Sequence, residues 1–165
     1  MYNKIIDIVT PDLVAKYFLL KAKEDGDLVS PLKIQKLVYY AYAWFLVHKN
    51  KKLFNEGIEA WPNGPVIPSL YKQLKKYGSS PINIEEFTKV KNEKDYNSLT
   101  SLIPDEAKAL LDSVYSKYMT LTPFELVMLT HNEKPWKEAR KGLLPTQKSN
   151  NQINDRDIMF QFKYR

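Results

Sequence analysis

Residues 32–47 have the sequence LKIQKLVYYAYAWFLV, which contains the longest unbroken apolar run of the chain, residues 37–47. This segment predicts a helix from Pro31 to about His48, because apolar residues repeat with a period of 3.6 at Ile34, Leu37, Val38, Ala41 and Phe45. Its other faces carry aromatic and aliphatic residues too, and a helix that is apolar nearly all round is usually buried. We therefore expect this helix at the centre of the fold. An aromatic surface for a partner is the less favoured interpretation.

Proline marks where most of the other helices are expected to begin. A proline is tolerated at the first helical position because its missing N–H would have no partner there, and a hydroxyl residue before it caps the helix. Such pairs occur at Thr10–Pro11, Ser30–Pro31 and Thr122–Pro123, and helical patterns also follow Pro68, Pro104 and Pro135. A further helix is expected after the capping residue Asn154, with Phe160, Phe162 and Tyr164 in a tail that docks on the domain.

Short extended segments are predicted between these helices. Residues 58–61 alternate as a strand does, and we expect them to pair with a second extended segment at residues 81–84. A rigid turn follows the first segment at residues 62–65, and residues 88–101 are polar enough to predict an exposed loop. From Pro68 a helix is expected to carry Leu70, Tyr71, Leu74 and Tyr77 inward.

The fold class follows from these elements. We predict a mainly α, compact, single-domain fold over residues 1–165, with a central all-round hydrophobic helix and, if the extended segments pair, a small two-stranded β element. The 165 residues are 44% hydrophobic and 27% charged, which is typical of one globular domain. Residues 1–10 lack a secretory signal, and the apolar run is shorter than the ~20 residues of a membrane span. We therefore expect a cytoplasmic protein with no membrane contact.

The residues that carry catalysis are scarce. The chain has no cysteine, which excludes disulfides, thiolate zinc sites and cysteine nucleophiles. Neither His48 nor His131 has a second ligand at a metal-binding spacing, and no glycine-rich phosphate loop occurs. Glu56 and Glu59 are the best general-acid candidates, yet they serve equally well as surface charges. We predict no enzyme, no metal and no cofactor.

A net charge of +6 fits either an anionic partner or a solvated, lysine-rich surface, and we favour the second interpretation. Lysine and tyrosine alternate within residues 71–77, as a surface for phosphates and bases requires. However, these tyrosines share the apolar stripe that we expect to face inward. We predict no specific nucleic-acid partner, although a small nucleic-acid-binding regulator remains an alternative function.

Three segments in combination resemble a known family. They are LKIQKLVYYAYAWFLV (residues 32–47), IEAWPNGPVIPSLYKQLKKYG (residues 58–78) and LVMLTHNEKPWKEARKG (residues 126–142), followed by residues 158–162. Together they resemble the Panacea domain, the family of phage-associated and SocA-like antitoxins, from about Pro11 to the end. The resemblance implies an antitoxin that neutralises a cognate toxin by direct contact. For the SocA-like branch it also implies an alternative, an adaptor that delivers the toxin to a ClpXP-type protease.

The family's frequent extra N-terminal segment, sometimes DNA-binding, is not expected here, because only ten residues precede Pro11. Within the matching segments, Trp61 lies beside a Pro–Asn–Gly–Pro turn that would hold an aromatic anchor for a partner at low entropic cost. Trp61 folded back on the domain is an equally good interpretation. The candidate partner-binding residues are Glu59, Trp61, Asn63, Gly64, Pro65, Val66, Tyr71, Trp136 and Arg140. Whether they contact a partner or only determine the fold stays open, as does a homodimer.

Overall fold

The computed structural model describes residues 9–163, so the expectations for residues 1–8 and for Tyr164 lie outside the described residues. Within this range the chain forms nine α-helices and two strands. The helices are α1 (Pro11–Asp25), α2 (Pro31–Lys49), α3 (Pro68–Leu74), α4 (Ile84–Thr88), α5 (Glu93–Thr100), α6 (Asp105–Tyr118), α7 (Pro123–His131), α8 (Lys134–Ala139) and α9 (Asp155–Lys163). The strands are β1 (Glu59–Trp61) and β2 (Gly64–Val66), and a 3-10 turn (Lys75–Tyr77) follows α3.

Helix α2 lies at the centre of the fold, as predicted. Between residues 33 and 46 every residue except Trp44 is buried. The helix packs against α1, α3, α6, α7, α9 and β2, so partners surround it. The mainly α fold with a central, all-round apolar helix is therefore confirmed.

Polar tips of the α2 aromatic residues connect the surrounding helices. Tyr40 Oη donates to Glu133 Oε1 at 2.8 Å, and its ring stacks on Tyr118 at a centroid distance of 4.0 Å. Trp44 Nε1 donates to the Tyr118 hydroxyl at 2.7 Å. A buried aromatic side chain contributes a large apolar area when its polar atom also has a partner. The aromatic residues of α2 thus belong to the core rather than to a partner surface.

The hydroxyl caps also form where the sequence places them. Thr10 Oγ1 accepts from the Leu13 amide at 3.2 Å, and Thr122 Oγ1 accepts from the Glu125 amide at 3.1 Å. Each such cap contributes about 1 kcal/mol by satisfying an amide that has no partner within its helix.

The predicted strand at residues 58–61 exists, but its predicted partner is wrong. Strand β1 pairs antiparallel with β2, in the register Glu59↔Val66 and Trp61↔Gly64, within the segment expected to be only a turn. Residues 81–84 instead lead into α4, where Asn83 Oδ1 accepts from the Glu86 amide at 3.0 Å. Local closure through Pro62 and Asn63 outweighs the pairing of two distant segments, because a short loop costs less entropy to close.

Two further expectations are wrong. Residues 88–101 are not a loop, since α5 occupies Glu93–Thr100 and begins with Asn92 as its N-cap. This helix was missed because Thr100 is its only buried residue, so it carries no apolar stripe to detect. Tyr71 does not face inward: it is 42% exposed, whereas Leu70 and Leu74 are buried.

The C-terminal helix offers a test of how much docking stabilises the fold. Phe162 is 2% exposed and meets Trp44 edge-on at 5.1 Å, whereas Phe160 is 55% exposed beneath the Lys134 ammonium. We expect Phe162→Ala to lower the free energy of unfolding by ~3–5 kcal/mol, since it leaves a cavity. The matched change Phe160→Ala should cost about 1 kcal/mol or less, because more than half of this side chain is already exposed and its contact with Lys134 is a cation–π contact at the surface. Urea unfolding measures both, and equal losses would contradict this account of α9.

Candidate partner-binding site

The β1–β2 hairpin is held in place by two side chains from the segment around α8. The Arg140 guanidinium is buried and donates to the carbonyls of Ala60 at 2.9 Å, Leu144 at 2.9 Å and Gln147 at 2.8 Å. Trp136 Nε1 donates to the Trp61 carbonyl at 2.8 Å. Both sequence-predicted residues, Trp136 and Arg140, therefore contact the hairpin backbone and fix its position.

The free edge of β1 is covered by the segment that precedes α9. The Ala60 amide donates to the Asn151 carbonyl at 2.9 Å, and the Ile153 amide donates to the Ile58 carbonyl at 2.8 Å. An isolated bridge joins Glu59 and Gln152. Strand β1 is thus paired on both edges, once with β2 and once with residues 151–153.

Two polar residues of α2 bind the β2 side of the hairpin. Lys36 Nζ donates to the Pro65 carbonyl at 3.1 Å. The Gln35 side-chain amide forms a reciprocal pair with Ile67, with distances of 2.9 Å from the Ile67 amide and 3.2 Å to the Ile67 carbonyl. These bonds satisfy polar groups inside the core, where a missing partner would cost ~1–3 kcal/mol.

Gly64 is required by this close approach. Its φ of +108° lies in a region that glycine adopts readily. A Cβ atom there would lie 2.6 Å from Lys36 Cε and 2.8 Å from Thr130 Oγ1. Both of those side chains are fully buried, so they have little room to move. The sequence-predicted Gly64 and Pro65 therefore pack the hairpin onto α2 and α7.

The hairpin borders an open groove of about 930 Å³ that α2, α3 and residues 146–150 complete. Five sequence-predicted residues line it: Glu59, Trp61, Asn63, Val66 and Tyr71. Within the groove, Trp61 and Tyr71 meet edge to face at 4.8 Å, and Trp61 Nε1 donates to Glu59 Oε1 at 2.9 Å. The candidate residues thus divide into five that line the groove and four that support the hairpin.

Lys36 lies at the floor of this groove, and the sequence analysis missed it. Its side chain has no exposed surface, and burial lowers the pKa of its ammonium to about 7. No carboxylate among residues 9–163 forms a salt bridge with it. The available signal was a lysine in the middle of a helix predicted to be buried on all sides.

His131 packs behind the hairpin. Its ring stacks on Trp136 at 3.9 Å, and its Nε2 atom has no hydrogen-bond partner among the described residues. Burial lowers the pKa of His131 below its ordinary value, although a hydrogen bond with the Pro62 backbone opposes the shift. A neutral imidazole therefore closes the core at this point.

Comparison with known families bears on the same part of the chain. The family model described as "Antitoxin SocA-like, Panacea domain" matches residues 34–137, which run from α2 through the hairpin to α8. The chain belongs to this SocA-like Panacea family. A curated relative, "Antitoxin SocA" of Caulobacter vibrioides (strain NA1000 / CB15N), is 44% identical over 59 residues, which cover 36% of this chain and 31% of the relative. The match thus spans about a third of that relative's length. No solved structure matches the chain.

Two negative findings apply to residues 9–163 of this Panacea domain. None of the helices in that range has the length and apolarity needed to cross a membrane. The same residues contain no group of three or more His, Asp or Glu side chains arranged to hold a metal ion.

Lys36 of the Panacea domain should make stability depend on pH. Its folded-state pKa of about 7 lies below the ordinary 10.5, so the unfolded state binds more protons between these values. The free energy of unfolding should therefore rise with pH from about 7, by at most ~1.4 kcal/mol per unit. We expect Lys36→Met to lose most of this rise, whatever the cost of removing the donor to the Pro65 carbonyl, because methionine has no group to titrate. Lys94 is exposed, so Lys94→Met is the matched control and should keep the rise of stability with pH.

Urea unfolding near pH 7 and near pH 9 provides the measurement. The window stays below the pH at which tyrosines ionise in the unfolded chain, since their ordinary pKa is about 10. A wild-type protein whose stability is flat across this window would show that Lys36 stays charged in the core.

Proposed function

We propose that this Panacea domain is a non-enzymatic antitoxin, and that it neutralises a cognate toxin by binding it along the groove beside the hairpin. The observation that carries the proposal is the match to the SocA-like antitoxin family over residues 34–137. That region includes the hairpin and α3, which together present Trp61 and Tyr71 to the groove. The relative that matches over about a third of its length is named Antitoxin SocA, which supports the same function.

The groove has the properties of a protein-binding hot spot. Such sites are rich in Trp, Tyr and Arg and bind best when the anchor is already held in its bound geometry. Trp61 is held at its backbone by Trp136 and at its indole N–H by Glu59. Tyr71 is 42% exposed, so it is available to a partner. The two rings thus form a rigid aromatic wall.

The proposed contact set is narrower than the set taken from the sequence. It comprises the five groove residues Glu59, Trp61, Asn63, Val66 and Tyr71. Trp136, Arg140, Gly64 and Pro65 act indirectly, because they position the hairpin. A stable protein complex buries about 800 Å² on each partner, so the groove would be the centre of a larger contact. Inhibition follows when the toxin surface covered in this way is needed for its activity.

Neutralisation by sequestration should be stoichiometric. We expect the product of the adjacent gene to arrest growth alone, and to co-purify with this chain when both are expressed. Titrating purified toxin with the chain should abolish toxin activity at a fixed molar ratio. Protection at strongly substoichiometric amounts with no isolable complex would contradict sequestration.

Toxin half-life in cells with and without ClpXP distinguishes the adaptor alternative. An adaptor shortens the toxin's half-life only where the protease is present. Sequestration leaves the toxin inhibited in protease-deficient cells, with an unchanged half-life.

Aromatic substitutions test the proposed contact surface directly. We expect Tyr71→Ala and Trp61→Ala each to weaken toxin binding by ~2 kcal/mol or more, about 30-fold in Kd, because they remove hot-spot anchors. Tyr71→Ala is decisive, since an exposed tyrosine contributes little to stability. Phe160→Ala removes an exposed aromatic side chain outside the groove and should bind like the wild type. Isothermal titration calorimetry measures affinity, and thermal unfolding confirms that each variant is folded. Unchanged affinity of a folded Tyr71→Ala protein would remove the groove from the interface.

A further inference from the structure

The lining of the groove is positively charged. Lys36 at the floor, Lys75 in the 3-10 turn after α3 and Lys148 in the loop before α9 all border it. Glu59 is the one carboxylate among the described lining residues, and its Oε1 atom already accepts a hydrogen bond from Trp61. Lys75 and Lys148 are exposed, so they are accessible to an anionic partner.

The backbone of the hairpin has little to offer to an added strand. Pro65 in β2 has no N–H group, and its carbonyl accepts from Lys36 Nζ. Strand β1 is paired on both edges. A segment in the groove must therefore be recognised mainly through its side chains rather than by joining the sheet.

We infer that the groove binds an acidic segment of the toxin, whose side-chain carboxylates pair with the exposed Lys75 and Lys148 above the Lys36 ammonium while an apolar side chain packs on Trp61 and Tyr71. This inference rests on the proposed function. The acidic segment would bring a carboxylate close to the buried Lys36 ammonium, which has no salt-bridge partner among residues 9–163. Burying a charge without a counter-charge is costly, and the low dielectric of the floor strengthens attraction to an arriving carboxylate.

Binding should then be linked to proton uptake. A carboxylate near Lys36 favours its charged form, and the free protein holds that pKa at about 7, so the complex takes up protons above pH 7. Glu59, Lys75 and Lys148 border the groove above Lys36, and His131 interacts with Lys36 from α7. His131 is neutral near pH 8 because burial lowers its pKa, and the charges of Lys36 and Arg140 act on it in the same direction. Lys36 is therefore the expected source of the uptake.

Charge reversal at the two exposed lysines is the main test. The wild-type chain is titrated with its cognate toxin at about 50 mM salt, where screening is weak. We expect Lys75→Glu and Lys148→Glu each to raise Kd by about tenfold or more, and the effect to shrink at about 0.5 M salt. Lys94→Glu makes the same change in net charge on α5, outside the groove, and should raise Kd by about twofold or less.

Proton uptake tests the role of the groove floor. Calorimetry near pH 8 in two buffers of different ionisation enthalpy should give uptake of up to one proton for the wild type. Lys36→Met should lose most of this uptake, whereas Lys94→Met should retain it. If Lys36 has only a structural role, the wild type should take up no protons when it binds the toxin.

Competition identifies what occupies the groove. The probes are overlapping toxin peptides, acetylated and amidated so that their only carboxylates are those of side chains, with displacement of fluorescently labelled toxin followed by polarisation. We expect a peptide containing Asp or Glu to compete, and to stop competing when those residues become Asn or Gln. Three outcomes would overturn the inference: competition only by a peptide with a free C-terminal carboxylate, only by a peptide lacking acidic residues, or only by a single-stranded DNA. The DNA probe is an oligothymidylate of about twelve nucleotides, roughly the length that one single-strand-binding domain covers.

The two proposals fail in different ways. If the wild-type chain does not bind the toxin, the proposed function is wrong and this inference falls with it. If the wild type binds while Lys75→Glu and Lys148→Glu match Lys94→Glu, the antitoxin stands and only the acidic occupant is wrong.

Discussion

Burial of residues 33–46 of α2 on nearly all faces constrains the elements around it, because a helix with no exposed face needs partners on all sides. Five helices and β2 supply them. The helix also carries Gln35 and Lys36, whose polar atoms must find partners within the core. They bind Ile67 and Pro65, so the hairpin is fixed to the central helix by the same residues that would otherwise be unsatisfied there. The position of the hairpin is thus a consequence of burying α2.

The rigidity of the groove follows from this arrangement. One side of the hairpin is bound by α2, its backbone is held by Trp136 and Arg140, and the free edge of β1 is covered by residues 151–153. These contacts come from three separate parts of the chain and together hold the backbone of the hairpin at Trp61. A partner that binds such a wall loses little free energy in ordering it, which is the usual advantage of a preorganised site.

Much of the helical architecture could be predicted because its signals are local. Hydroxyl–proline pairs mark α1, α2 and α7, and the unbroken apolar run identifies α2 as central. The pairing of β1 depends on competition between a near and a distant segment, which periodicity alone does not rank. Helix α5 buries too little to leave a pattern, and Tyr71 has the apolar spacing of its neighbours although it is exposed. These errors occur where tertiary contacts, rather than local sequence, set the outcome.

The candidate site could be predicted only in part, because tertiary contacts also decide the role of its residues. Trp61, Asn63 and Val66 lie in or next to a turn that the sequence reveals. Which residues line the groove and which hold the hairpin in place depends instead on tertiary contacts. Arg140 illustrates this, because an arginine in an interface-like motif proves to donate to backbone carbonyls of its own fold, among them those of Ala60, Leu144 and Gln147. Lys36 shows the reverse. A lysine in a buried helix breaks the rule that core positions are apolar, and such exceptions tend to occur where function outweighs stability. Its lowered pKa costs the domain stability near neutral pH, and a carboxylate of the proposed acidic segment would recover part of that free energy as affinity.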